Sequence, residues 1–166
     1  MDRVIQLIDR INRGIRVILA LNIAVMSIII IAQVISRYFF HNTFTWAEEL
    51  ARYLMVLSVF MGAGLAIRSH SLIAVEIVAE SLTFQRKRIL KILVYFICLA
   101  FFILLMFVGI DMLEKVSMQL SPALQLKMSI PYAAIPIGAA VLILNTIAVL
   151  LELLQHKQMN EETGGV

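Results

Sequence analysis

Apolar residues come in four long runs, each bounded by charge. The first covers about 15–35, where Asn22, Ser27 and Gln33 are the only clearly polar interior residues. The second opens at Trp46 and holds no charge from Tyr53 to Ile67, the third covers 89–110, and the fourth covers 131–154. About 20 apolar residues in a helix cross the hydrocarbon core of a bilayer, so each run is long enough to span it. The pattern predicts an all-α integral membrane protein with four transmembrane helices, at about 15–35, 46–67, 89–110 and 131–154. Between spans two and three the period changes. Ser69, Glu76, Glu80, Thr83 and Lys87 fall on one helical stripe, and Leu72, Ile73, Val75, Ile77, Val78 and Leu82 cover the rest. With acids inside so short a stretch, residues 70–84 make a poor span but a good amphipathic in-plane helix.

The ends of the runs carry further expectations. Within residues 2–16, Val4, Leu7, Ile8 and Ile11 share one face, and Asp2, Arg3, Gln6, Asp9, Arg10 and Arg13 share the other. This suits either a helix lying on the membrane surface or the wet first turns of span one. Pro131 fits a helix start, whereas Pro136 bends span four unless it too lies in a first turn. The polar tail at 155–166 ends in Gly-Gly-Val and is expected to be disordered.

Composition agrees with the hydropathy pattern. Of 166 residues, 61% are hydrophobic and 15% charged, too few charges to cover a water-facing surface. The length fits a single membrane domain, 1–166, without a separate soluble one. The net charge of +3 comes from basic residues that flank apolar runs rather than form one face. Membrane lipid, and no nucleic acid, is therefore the expected surrounding. The first apolar run is too long for a signal-peptide core and no small-residue cleavage motif closes it, so it reads as a retained span. Arg3, Arg10, Arg13, Arg16, Arg68, Arg86, Lys87, Arg88, Lys91 and Lys157 fall on one side of the four spans, and Arg37, Arg52, Lys115 and Lys127 on the other. The excess of basic residues places both termini and the 68–91 connection on the cytoplasmic side.

Candidate chemistry concentrates at the head of span two. Glu48 and Arg52 stand four apart in the favourable acid-first order, and Glu48 and Glu49 lie in the first turn, where the helix dipole favours negative charge. Two readings stay open: an ion pair that anchors the helix end at its depth, or a group used in subunit contact or ion coupling. No acid, base or histidine falls near the middle of a predicted span, where an ion pathway needs one. Asn22, Ser27, Gln33, Asn145 and Thr146 are the most polar mid-membrane side chains, able to bridge helices or meet a partner. The single cysteine, Cys98, reads as a small packing residue and rules out an internal disulfide. His41, His70 and His156 have no ligand spacing, and no phosphate loop, dinucleotide turn or nucleophile triad is present. No enzymatic activity, metal or cofactor is expected. Ser58, Gly62 and Ala66, with Gly64 nearby, and Ala134 with Gly138 in span four, form small-residue stripes that let helices approach closely.

One set of residues is familiar together. Ser36-Arg37, Phe40 and Trp46-Ala-Glu-Glu-Leu-Ala-Arg52 resemble the small membrane subunit of the tripartite ATP-independent periplasmic (TRAP) transporters, the DctQ family. The resemblance continues through Arg68, Ile73-Ala-Val-Glu76, Ser121-Pro-Ala-Leu124 and Ile130-Pro-Tyr-Ala-Ala-Ile-Pro136, and so covers nearly the whole chain. One position departs from the family pattern. Many members have a histidine four residues after the arginine matching Arg68, where this chain has Leu72, so no role of that histidine passes to His70. The resemblance implies a larger membrane subunit carrying the transport and sodium sites, and a periplasmic binding protein that delivers an organic acid. It also implies a scaffold role for the small subunit in the bacterial inner membrane. Arg37, Trp46, Glu48, Glu49, Arg52, Ser58, Gly62, Gly64, Arg68, Glu76, Pro131 and Pro136 are then structural or interface residues, and the outer loops Tyr38–Thr45 and Lys115–Ser129 lie where the binding protein docks. A competing reading is a homodimeric exporter of the small multidrug type, which wants an acid buried within a span.

Overall fold

The computed structural model describes residues 2–39, 44–69 and 84–163. Five helices account for nearly all of it: α1 (Asp2–Phe39), α2 (Thr45–Arg68), α3 (Phe84–Lys115), α4 (Ser129–Tyr132) and α5 (Ala134–Thr163). Four segments are long and apolar enough to cross a membrane: Ile5–Phe39, Thr45–Arg68, Arg86–Lys115 and Ser129–Leu154. The four expected spans are all present. The in-plane helix expected at 70–84, including Glu76 and His70, lies outside the described residues apart from Phe84, which opens α3.

The N-terminal stretch is part of span one. α1 runs unbroken for 38 residues, about 57 Å at the usual helical rise, and so outreaches the hydrocarbon core. Within Asp2–Phe39 the wet-first-turn reading holds, since the N-terminal stretch runs into span one as one helix. At the other terminus, the helix continues to Thr163, so the backbone from 155 to 163 is helical where the polar composition predicts disorder.

Span four is built in two pieces, and proline chemistry explains the break. In one continuous helix the carbonyl of Tyr132 would await the N–H of residue 136, which as proline has none. The chain instead turns at Ala133, whose N–H bonds back to Ser129 and Ile130. α5 then starts afresh at Ala134, with Pro136 in its first turn, where an N–H is not needed. Regular bonding resumes with Ile137 N–H to the Ala133 carbonyl at 3.2 Å. Pro131 occupies the short α4.

α5 is the centre of the unit. It packs most extensively against α2 on one side and α3 on the other, and α1 leans chiefly on α2. Ala139, Asn145, Thr146, Ala148 and Val149 are fully buried along it, with Ile67, Tyr95 and Leu142 completing the core. The outer helices keep wide apolar faces uncovered, including Leu21, Ile28 and Ile31 on α1 and Phe96, Phe101 and Phe107 on α3. A protein in water does not leave such faces open, but hydrocarbon or another membrane helix covers them at little cost.

Candidate functional site

The charged head of α2 meets a folded loop. After α3, residues 116–128 double back, with Ser121 N–H to Leu126 O at 2.8 Å and Met128 N–H to Gln119 O at 2.9 Å. Gln125 takes the left-handed conformation at the turn (φ 54°). Its neighbours Ala123 and Leu124 aim their backbone N–H groups at one carboxylate oxygen of Glu49, at 2.9 and 3.0 Å. The other oxygen accepts the hydroxyl of Tyr53, one turn along α2. Glu49 thereby fastens the loop to α2. Free N–H groups on a tight turn form a small anion receptor, and a carboxylate there gives charge-assisted hydrogen bonds.

Glu48 and Arg52 behave differently from the expected helix-end ion pair. Among the described residues no ion pair joins them, and both are exposed. In water the entropy of holding two long side chains together cancels most of the Coulomb gain. Both instead line an open cavity of about 550 Å³, together with Glu49, Tyr53, Met128, Pro131, Tyr132 and Ile135. Trp46 is 44% exposed, its ring 6.0 Å from that of Phe44. Arg37 is exposed in the last turn of α1. The site at this end therefore pairs one engaged acid, Glu49, with an exposed acid and an exposed cation.

The opposite end, which carries both termini, has its own cluster. Arg68, the last residue of α2, bonds Asp9 of α1 through Nε at 2.7 Å and Glu152 of α5 at 2.6 and 2.8 Å. One guanidinium thus ties three helices, using the forked donor geometry that arginine provides. Nearby, Arg88 donates to the Leu153 carbonyl and links α3 to the same end.

Between the two ends, polar side chains join helices. Asn12 and Asn145 exchange amide hydrogen bonds of 2.6 and 3.1 Å, both buried. Asn22 donates to Ser58 Oγ at 2.8 Å and to the Leu54 carbonyl at 2.9 Å. Ser58 is thus a hydrogen-bond partner as well as a small residue. Thr146 and Ser27 satisfy themselves on carbonyls of their own helices.

The small-residue stripes resolve into distinct contacts. A Cβ on Gly64 would meet Val141 Cγ1 at 2.6 Å, and one on Gly138 would meet Phe60 Cβ at 2.3 Å, so these two glycines set the close approach of α2 and α5. Gly62 faces α1 with room to spare, its nearest neighbour being Leu19 at 3.8 Å. Pro136 is buried and contributes to the contact with Gly109 of α3. Glu76 lies outside the described residues. Among the described residues no group of three or more His, Cys, Asp or Glu gathers to hold a metal.

Sequence pattern singled out the head of α2, Arg68 and Asn145, but not their partners. Asp9 and Asn12 fell in the charged N-terminal stretch, and Glu152 near the polar end of span four. Tyr53 passed as the first uncharged residue of a span. The only local hint for Tyr53 is its spacing, four residues after Glu49.

Comparison with known proteins places this arrangement in a family. The sequence profile described as "Tripartite ATP-independent periplasmic transporters, DctQ component" matches residues 26–156. The chain is 26% identical over 150 residues to the C4-dicarboxylate TRAP transporter small permease protein DctQ of Vibrio cholerae, covering 75% of this chain and 64% of that protein. It is 25% identical over 139 residues to the sialic acid TRAP transporter permease protein SiaT of Haemophilus influenzae, covering 82% of this chain and 21% of the relative. It is 32% identical over 95 residues to the isethionate TRAP transporter permease protein DctMQ of Oleidesulfovibrio alaskensis, covering 56% and 15% respectively. The chain thus spans less than two thirds of each of these relatives. With the profile covering most of its length, the chain, with its four apolar helices, belongs to the DctQ family of TRAP transporter small permease subunits.

Proposed function

We propose that this chain is the non-catalytic small membrane subunit of a sodium-coupled, binding-protein-dependent importer of organic acids, and acts as scaffold for a large transport subunit. The observation that carries the reading is how its polar side chains are spent. Asn12 on Asn145, Asn22 on Ser58, and Arg68 on Asp9 and Glu152 tie the chain's own helices together. Meanwhile the apolar faces of α1 and α3 stay uncovered. A scaffold needs both a fixed body and a face on which to hold another membrane protein.

The relatives support the partner and the substrate class. SiaT and DctMQ are several times longer than the stretch this chain matches, which supports a larger membrane unit as its working partner. The relatives are named for a C4-dicarboxylate, a sialic acid and isethionate, all organic anions. In this reading sodium binds the large subunit, and the binding protein docks at the end that holds Glu49 and the 116–128 loop. The protein sits in the bacterial inner membrane with both termini in the cytoplasm.

The test is reconstitution with the products of the neighbouring genes. The expected result is stable co-purification with a larger multi-span protein, and sodium-dependent uptake only when both chains and a binding protein are present. Transport by this chain alone in proteoliposomes would overturn the proposal.

A further inference from the structure

A second cavity, of about 540 Å³, opens at the end that carries both termini, and its charged lining consists of Asp9, Arg13, Arg16, Arg68 and Glu152. Arg68 is spoken for, since its guanidinium already holds both carboxylates. Arg13 and Arg16 are not. Both are exposed on α1, and among the described residues neither makes a hydrogen bond or ion pair. Three cations against two anions leave the cavity with a net positive charge and two guanidinium forks open to an incoming anion. Such forks match the oxygens of a phosphate group in geometry as well as charge.

The depth of the cavity narrows the ligand. Arg13 and Arg16 stand where α1 turns from polar to apolar, and Val17, Ile18 and Leu21 follow at once, each more than half exposed. Phosphate donors therefore adjoin a lane of bare aliphatic side chains. A ligand with an anionic phosphate joined to hydrocarbon chains fits both halves, and a phosphate alone uses only the first. Asn12 also lines the cavity, but its amide is committed to Asn145.

We infer that this cavity binds the headgroup of an anionic phospholipid, with Arg13 and Arg16 holding the phosphate and the acyl chains lying along Val17, Ile18 and Leu21. The site rests on the chain's being a membrane protein and not on its acting as scaffold, so either can fail without the other. Bound there, a lipid would sit beside the Arg68 clasp and cover the polar opening between α1, α2 and α5.

Native mass spectrometry of the full chain, released from detergent after incubation with phosphatidylglycerol or phosphatidylcholine, tests the site. One retained phosphatidylglycerol per chain, in preference to phosphatidylcholine, is expected. Arg13→Gln/Arg16→Gln should lower that retention by roughly tenfold or more, given the usual contribution of a basic residue at an anionic membrane surface. Arg37→Gln, at the opposite end, should leave it unchanged. Equal retention by the native and double-variant chains overturns the site. Thermal stabilisation by inorganic phosphate alone, lost in the double variant and matching that by lipid, assigns the arginines to free phosphate and overturns the lipid. Loss of a co-purified protein from the double variant with lipid retention intact assigns them to an acidic partner and likewise overturns it. A far-ultraviolet circular dichroism spectrum equal to that of the native chain shows that the double variant is folded.

Discussion

Asn12 and Asn145, 133 positions apart in the chain, lie amide to amide and satisfy each other in the buried contact between α1 and α5. Each has what the other needs, and among the described residues neither makes another hydrogen bond. Asn145→Leu should therefore lower stability by about 1–2 kcal/mol, the upper part of the range for polar contacts between membrane helices. The double variant Asn12→Leu/Asn145→Leu should recover part of that loss, because no carboxamide is then stranded. Thermal midpoints in one detergent check this, and a double variant as damaged as the sum of the two single ones would refute it.

The glycines should rank by the space their Cβ atoms would find. Gly62→Ala meets only Leu19 at 3.8 Å and should be neutral or stabilising by up to about 1 kcal/mol through helix propensity. Gly64→Ala should be worse, since Val141 must turn away. Gly138→Ala should be worst, because Phe60 Cβ at 2.3 Å cannot move without its backbone. Thermal midpoints of the three variants test the order, and equal effects would mean that α2 and α5 are not closely packed.

Loss of the Arg68 fork should leave Asp9 and Glu152 as neighbouring like charges with no guanidinium between them. Arg68→Gln is expected to cost about 2–3 kcal/mol, below the range for fully buried pairs because Asp9 is half exposed. Adding Glu152→Gln should then cost less than it does in the native chain, since its contact with Arg68 has already been broken. Arg68→Lys should fall between, keeping the charge but losing the fork. A thermal or denaturant series over these variants measures the coupling, and strict additivity would argue against a shared interaction.

Glu49 and Glu48 should separate cleanly despite being neighbours. Glu49→Ala removes the acceptor of the Ala123 and Leu124 amides, so hydrogen exchange of those amides should quicken. Glu48→Ala should leave it unchanged. Exchange that is equally slow in both variants would show that the loop holds itself.

Glu48→Ala and Arg52→Ala test the cavity at the same end. Both residues line it without pairing, so each variant should fold and span the membrane as the native chain does while reducing assembly with the proposed large subunit or uptake. Unchanged assembly and uptake in both would leave the cavity without a role.

The spans were legible in sequence because a bilayer imposes one requirement on every residue in them, and runs such as Tyr53–Ile67 meet it visibly. The stripe of small residues was also legible, but not its assignment. Whether Gly62 or Gly64 is the crowded position depends on which neighbour lies across, and periodicity carries no information about the neighbour. The same gap explains the head of α2. Local spacing favours Glu48 with Arg52, whereas the acid that makes contacts is Glu49, whose loop partners lie 74 and 75 positions away. Arg68 stood out as the charge closing a span, but its partners come from both ends of the chain, and no local rule joins Asp9 to Glu152. The break at Ala133 follows from Pro136, and sequence left open only whether that proline would bend a helix or start one.

Glu49 and Arg68 are nineteen residues apart on one unbroken helix, about 28 Å along its axis, close to the thickness of a bilayer's hydrocarbon core. Each is immobilised by groups from other parts of the chain. α2 is therefore a gauge with a fixed mark at each membrane surface. A thinner or thicker bilayer cannot be met by sliding α2 alone, because the loop at one end and α1 and α5 at the other move with it. The whole unit must tilt, or the lipid must deform around it. Bilayer thickness should accordingly act on this protein as a load applied between two clasps.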